Sequence, residues 1–119
     1  CFSLVAVEAA YREGEEWLEQ LIPYLEGNIE YIRDYCKNNI PQIKPAKPES
    51  TYLVWLDCRD LGLNNEELKS FMINKAHLGL NPGNNFCRSL SGYMRINVAC
   101  PRSILEQAMK QLKEAVSTL

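Results

Sequence analysis

The sequence lacks any apolar run that approaches the roughly 20 residues of a membrane-spanning helix. Its first residues do not combine a basic start, an apolar stretch and a cleavage site, so we expect no secretory signal. The basic residues do not cluster, and the net charge is −2. Nucleic-acid-binding proteins carry a concentrated basic surface, which this distribution does not provide. We therefore expect neither a membrane nor a nucleic acid as a partner.

Histidine is nearly absent, and the cysteines form no C-x-x-C pair. The one histidine is His77. The cysteines are widely spaced, at Cys1, Cys36, Cys58, Cys87 and Cys100. An odd number at such spacing is unlike a disulfide framework, so we predict free thiols in a reducing, cytoplasmic setting. A zinc site would require several of these thiols to converge, so we predict no metal site.

The composition that is present is typical of one globular domain. The chain has 119 residues, of which 46% are hydrophobic and 24% are charged, and this suits a single core. Because the first residue is Cys1 rather than Met, we expect residues 1–119 to be one domain of a longer protein. We divide this domain into a helical segment, residues 1–39, and a core of sheet and helices, residues 40–119.

The N-terminal segment carries a helical pattern. Residues 2–12 predict a short helix that ends near Gly14. In residues 15–39, apolar side chains recur at three- and four-residue steps, which places them on one helix face. These side chains are Trp17, Leu18, Leu21, Leu25, Ile29, Ile32 and Cys36. Because Pro23 removes a backbone donor inside this pattern, we predict a kink there or a break into two helices.

The second half of the chain contains extended segments. Residues 51–58, TYLVWLDC, are rich in β-branched and aromatic residues and predict a buried strand, with Trp55 in the core. Residues 81–85 carry proline, glycine and asparagines and predict a turn. Further extended segments are predicted at Ile43 and Lys44, at Leu80, and at residues 92–99.

Two further helices carry end signals. Asn64 is a good N-cap residue and Glu67 follows three positions later, which predicts a capping box at the start of a helix. Gly79 predicts the end of that helix. Ser103 and Glu106 predict a second capping box, after Pro101. The last helix is predicted to bury Leu105, Met109, Leu112 and Val116.

These elements predict an α+β fold. Successive strands are separated by connections too short for an all-parallel sheet. We therefore expect a small, mostly antiparallel sheet of three to four strands. Helices should cover one side of the sheet, and long N-terminal helices should precede it.

Arg95 is the candidate functional residue, because it lies inside the apolar strand GYMRINVA. A guanidinium in such a strand needs an anion, and it can bind a carboxylate with two parallel hydrogen bonds. The anion is either a ligand carboxylate or a structural Asp or Glu. Asn97 points to the same side of the strand, where it either contacts a ligand or makes a structural hydrogen bond. Asp57 and Arg59 are placed to pair at the end of the earlier strand.

Four segments, in this order, resemble the C-terminal part of one enzyme group. They are AAYREGEEWLEQLIPYLEGN (9–28), PESTYLVWLDCRDLGL (48–63), PGNNF (82–86) and GYMRINVACPRSILEQAMKQL (92–112). Together they resemble the MalY/PatB group of cystathionine β-lyase-like enzymes. That group lies in the class I and II aminotransferase superfamily of fold type I. The chain departs from the pattern in the loop before the arginine strand, where glycines are usual and Cys87, Ser89 and Leu90 stand here.

The resemblance implies a division of labour within a longer enzyme. Such enzymes bind pyridoxal 5′-phosphate (PLP) as a Schiff base to a lysine of a large domain that precedes this segment. Arg95 would hold the α-carboxylate of the amino-acid substrate, with Asn97 as a weaker candidate contact. The segment itself would contain no catalytic and no cofactor-binding residue, and would be inactive alone.

The resemblance leaves the reaction of the parent enzyme open between an aminotransferase and a carbon–sulfur β-lyase. It also implies that the parent is a homodimer. An alternative that the residues allow is a stand-alone amino-acid-binding or regulatory α+β module that uses Arg95 for a carboxylate.

Overall fold

A computed structural model describes residues 2–119, which form an elongated body with extents of 50 × 29 × 24 Å. The helices are α1 (Phe2–Glu13), α2 (Glu15–Asn39), α3 (Asn65–Asn74) and α4 (Arg102–Val116). The strands are β1 (Lys44–Pro45), β2 (Leu53–Asp57), β3 (Asn81–Pro82) and β4 (Tyr93–Asn97). Single turns of 3-10 helix lie at Arg59–Leu61, Gly83–Asn85 and Arg88–Leu90. No helix within residues 2–119 is long and apolar enough to cross a membrane.

The strands form one antiparallel sheet in the order β1-β2-β4-β3. Alternate side chains of β2 and β4 are buried against the helices, because successive residues of a strand face opposite sides. The buried positions are Val54, Leu56, Met94 and Ile96. They join one hydrophobic cluster with side chains of α2, α3 and α4. The predicted α+β fold, with an antiparallel sheet covered on one side, is confirmed.

Trp55 corrects one expectation about the core. It lies on β2 between the buried Val54 and Leu56, and therefore on the opposite face of the sheet. Its indole is half-buried and lies on the same face as Arg95. The predicted core position of Trp55 is wrong, because period-two alternation places it on the open face.

Helix α2 is continuous through Pro23. Of the two outcomes predicted there, the break into two helices is wrong, and the kink stays a prediction. Proline removes the hydrogen bond to the carbonyl four residues earlier, at Glu19. Glu19 is exposed, so water can bind that carbonyl instead. The apolar stripe of α2 is buried only toward its C-terminal end, at Ile29, Ile32 and Cys36.

The N-terminal stretch projects away from the core. Helix α1 buries no residue, and Phe2 is 97% exposed. Trp17, in the first half of the predicted stripe of α2, is 67% exposed. This apolar surface is therefore present in the chain but is not covered by it.

The ends of the later helices confirm one prediction and correct two. The capping box of α3 is present, with the Asn64 side chain accepting from the Glu67 backbone and the Glu67 side chain accepting from the Asn64 backbone. However, α3 ends at Asn74, and the positive φ of 55° falls on His77, so Gly79 does not end the helix. Helix α4 starts one residue before Ser103, and no side chain caps it, so the predicted capping box there is wrong.

A buried asparagine fixes the start of α4 instead. Asn28 of α2 donates to the carbonyls of Val98 (2.8 Å) and Cys100 (3.1 Å) and accepts from Nε of Arg102 (3.0 Å). The Tyr24 hydroxyl accepts from the Arg102 backbone N–H at 2.8 Å. These bonds tie α2 to the segment between β4 and α4. As predicted, α4 buries Leu105, Met109 and Leu112, while Val116 is half-buried against the core.

Candidate functional site

Arg95 lies at the middle of the open sheet face. In the strand register it is opposite Trp55 on β2 and opposite Asn81 on β3. The three residues thus form one row across the sheet. Directly opposed side chains on neighbouring strands are close enough to contact each other.

Aromatic rings, rather than acids, surround the Arg95 guanidinium. Its Cζ lies 4.2 Å from the centroid of the Phe86 ring and 5.9 Å from that of Trp55. The two rings also contact each other edge to face, with centroids 5.6 Å apart and planes at 82°. The polar neighbour is Asn81, whose Oδ1 lies 3.5 Å from Nη2 of Arg95, at the limit of a hydrogen bond.

Arg95 makes no ion pair with any acidic residue of the described chain, residues 2–119. Its Nε is buried and has no hydrogen-bond partner there. A buried polar atom without a partner is unfavourable by about 1–3 kcal/mol, and more if it belongs to a charged group. The structural Asp or Glu that the sequence left as an alternative is therefore not found, and the guanidinium retains donors for an anion.

The acidic residue of β2 on the same face, Asp57, is bound to other groups. Asp57 accepts from Nε (2.9 Å) and Nη2 (2.7 Å) of Arg59 and from the hydroxyl of Tyr93 (3.2 Å). The hydrogen bond from the Arg59 side chain lowers the pKa of Asp57 to about 2. The Arg59 guanidinium also lies 5.0 Å from the centroid of the Tyr93 ring. The predicted pair of Asp57 and Arg59 is confirmed.

Asn97 lies two residues after Arg95, at the end of β4, and is exposed. Its Oδ1 accepts from the backbone N–H of Ala99 at 2.8 Å. This is the local structural bond that the sequence allowed as one of two roles. Asn97 lies on the same face of the sheet as Arg95, and its contact with a ligand stays a prediction.

Phe86 is the site residue to which the sequence assigned no role. It follows directly after the turn predicted at residues 81–85, of which Gly83–Asn85 fold as a single 3-10 turn. Its backbone N–H donates to the carbonyl of Gly83 at 2.9 Å. A Cβ at Gly83 would overlap the carbonyl oxygen of Leu90, so only glycine fits without a shift. The PGNNF segment is one of the four that carry the family resemblance, but the approach of its phenylalanine to Arg95 depends on the folded loop.

The other candidate groups of the described residues are the lysines and the cysteines. Every lysine is exposed, at positions 37, 44, 47, 69, 75, 110 and 113. Burial raises the pKa of the Cys36 and Cys58 thiols to about 12, which keeps them protonated. Cys87 and Cys100 are also free thiols, and Cys1 lies outside the described residues. Among residues 2–119, no group of three or more His, Cys, Asp or Glu side chains could hold a metal ion.

Comparison with known proteins gives related sequences over nearly the whole chain, although no family model matches it. Cystathionine β-lyase PatB of Bacillus subtilis (strain 168) is 35% identical over 116 residues, which are 98% of this chain and 30% of PatB. Protein MalY of Escherichia coli (strain K12) is 36% identical over 114 residues, which are 96% of this chain and 29% of MalY.

A solved structure gives the same result in three dimensions. A PLP-bound protein of Clostridium difficile 630, described as an aminotransferase, superimposes with a TM-score of 0.94 at 52% identity. The superposition covers 98% of this chain and 30% of that protein. The chain therefore spans about 30% of the length of the relatives that it matches. The predicted resemblance is confirmed.

Proposed function

Because this chain belongs to the superfamily of PLP-dependent enzymes that contains the MalY/PatB group, we propose that it is the C-terminal domain of a longer enzyme. In that enzyme it binds the carboxylate of an amino-acid substrate. The matches that cover nearly all of this chain and about 30% of each relative support this assignment. They give no comparable support to a stand-alone binding module.

The observation that carries the proposal is the environment of Arg95. Its guanidinium lies on an open sheet face, its Nε is buried without a partner, and it makes no ion pair with an acid of residues 2–119. A carboxylate ligand matches such a group, since its two oxygens can accept parallel hydrogen bonds from one guanidinium. Asn97 is the secondary candidate contact on the same face.

The cofactor would be held elsewhere in the longer enzyme. When bound, PLP supplies the electron sink for chemistry at the substrate's α-carbon. The described chain does not fit that group, because all its lysines are exposed and Lys44 is paired with Asp60. We therefore assign to this chain the orientation of the substrate, an effect on rate that acts through geometry. The isolated chain should be inactive.

The uncovered apolar surface supports a neighbouring large domain. Phe2 on α1 and Trp17 on α2 are both mostly exposed, and large exposed apolar surface marks an interaction site. We assign this surface to the PLP-binding domain of the same enzyme, whose relatives extend well beyond the matched 30%.

The resemblance also supports a homodimeric parent. The free thiols that predicted a reducing compartment support a cytoplasmic location.

The proposal covers an aminotransferase and a carbon–sulfur β-lyase, because both reactions act on an amino acid whose carboxylate must be held. Substitution Arg95→Lys in the full-length enzyme tests it. Lysine keeps the charge and loses the two-pronged geometry. For an α-amino acid, kcat/KM should therefore fall by a factor that corresponds to about 2–4 kcal/mol of transition-state stabilisation. The amine with the same side chain and no carboxylate is the control, and its turnover should change little. Equal loss for both compounds, or unfolding of the variant, would contradict the proposal.

A further inference from the structure

We propose that Phe86, supported by Trp55, is a positioning residue that fixes the plane of the Arg95 guanidinium without neutralising its charge. The inference rests on the proposed role of Arg95 as the carboxylate-binding group. It adds to that role the side chains that hold the guanidinium in place before a ligand binds.

The geometry of the three side chains supports this assignment. The Phe86 ring centroid lies 4.2 Å from Cζ of Arg95, a distance typical of a guanidinium stacked on an aromatic face. Trp55 lies farther from the guanidinium, at 5.9 Å, and contacts Phe86 edge to face at 5.6 Å. Trp55 is directly opposite Arg95 in the register. The Trp55 side chain of β2 therefore supports the Phe86 ring, which lies against Arg95 of β4.

Stacking on a ring and pairing with an acid have different consequences for a ligand site. A carboxylate partner would occupy the in-plane N–H donors, and the ligand would have to displace it. A ring contacts the π face of the guanidinium and leaves those donors directed outward in the plane. Within residues 2–119, Nε has no partner, Nη2 makes only the long 3.5 Å contact with Asn81, and no carboxylate pairs with the guanidinium.

The loop before β4 delivers the ring to this position. Gly83 is buried and its close approach to Leu90 leaves no room for a Cβ. The carbonyl of Gly83 accepts from the backbone N–H groups of Phe86 (2.9 Å) and Cys87 (3.2 Å). The backbone turn therefore sets where Phe86 leaves the loop, and the ring reaches Arg95 across the open face.

A simple covering role for Phe86 is the alternative. The side chain is 51% exposed, so it buries only part of its apolar area and contributes little to the core. A residue with such a role could be replaced by any apolar side chain of similar size. A positioning residue needs an aromatic face, so leucine and tyrosine should behave differently at position 86.

The test uses the full-length enzyme with Phe86→Leu and, as the matched control, Phe86→Tyr, which keeps the ring. The probe is propionate, an acid without an amino group that should compete through its carboxylate alone. We expect Phe86→Leu to raise the inhibition constant about fivefold, since a partly exposed cation–π contact has that order of strength. Phe86→Tyr should stay within about twofold of the unsubstituted enzyme. Kinetics with the carboxylate-free amine and the PLP absorbance should not change.

Arg95→Lys, measured in parallel, separates failure of this inference from failure of the proposed function. If Arg95→Lys raises the inhibition constant and Phe86→Leu does not, the positioning role is wrong and the carboxylate role stands. If Arg95→Lys leaves the constant unchanged, both are wrong. Equal effects of leucine and tyrosine, or equal losses with the amine, also overturn the positioning role. Phe86→Met supplies a second non-aromatic side chain if the leucine variant does not fold.

Discussion

Asp57 and Arg95 lie on the same face of two neighbouring strands, yet Asp57 binds Arg59 and Tyr93, and Arg95 has no acidic partner within residues 2–119. In the register Asp57 is opposite Tyr93 and Trp55 is opposite Arg95, so Asp57 is a diagonal neighbour of Arg95. Diagonal residues are roughly 7–8 Å apart, within reach of long side chains. The arrangement keeps the charge of Asp57 away from the guanidinium that we assign to the substrate.

Removing Arg59 should therefore let Asp57 compete with the substrate. In the full-length enzyme we expect Arg59→Ala to raise KM for an α-amino acid by about three- to tenfold, because a freed carboxylate can pair with Arg95. Adding Asp57→Asn should restore most of the loss. Arg33→Ala, which removes a half-buried arginine paired with Glu30, is the control and should have no effect. If the double variant Arg59→Ala, Asp57→Asn has the same raised KM as Arg59→Ala alone, Arg59 acts in another way.

The same ion pair predicts how stability changes in acid. The folded pKa of Asp57, about 2, is below its ordinary value of 3.8, so its contribution is complete above pH 3.8. It is lost as the pH falls from there toward 2, because the folded state must then be protonated. We expect this contribution to the free energy of unfolding to be about 1 kcal/mol or less, since Arg59 is largely exposed. Urea unfolding of the chain and of Asp57→Asn at several pH values measures the contribution, with the exposed Asp34→Asn as control. If the free energies of unfolding of the chain and of Asp57→Asn change in parallel with pH, Asp57 makes no such contribution.

Asn28 should be the polar residue on which the fold depends most. Asn28→Ala would leave two backbone carbonyls and the Arg102 side chain without their buried partner. We expect a loss of about 3 kcal/mol in the free energy of unfolding. Asn38→Ala, at an exposed position of the same helix, should change it by about 0.5 kcal/mol or less. Equal effects of the two substitutions would show that the buried bonds add no stability.

The isolated chain should not form an imine with PLP or turn over an amino acid. Its lysines are exposed, so none is held in an enclosed cofactor site. Addition of PLP, followed by absorbance spectroscopy, borohydride reduction and peptide mapping, measures this. We expect weak labelling spread over several lysines. A stoichiometric imine that maps to one lysine would contradict the assignment of the cofactor to another domain.

The sequence predicts local structure better than it predicts contacts across the sheet. Helical periodicity located α2, and the capping residues Asn64 and Glu67 located the start of α3. Signals at single residues were less reliable. Pro23 did not break α2, and Glu19, whose carbonyl lost its bond, is an exposed residue. Ser103 did not cap α4, because the helix begins one residue earlier.

The candidate site was only partly predictable for a related reason. An arginine in an apolar strand identified Arg95 without knowledge of its neighbours. The aromatic environment required the pairing of β2 with β4 and the path of the loop that carries Phe86. Residues far apart in the chain meet through strand register, and a single sequence does not state that register.

The central claim is that Arg95 binds the carboxylate of the substrate, and a crystal structure of the full-length enzyme with bound propionate tests it most directly. We expect both carboxylate oxygens to lie within roughly 2.7–2.9 Å of guanidinium nitrogens of Arg95, with the aromatic ring still stacked against it. A propionate bound at another residue, with Arg95 paired to an acid of the large domain, would contradict the claim.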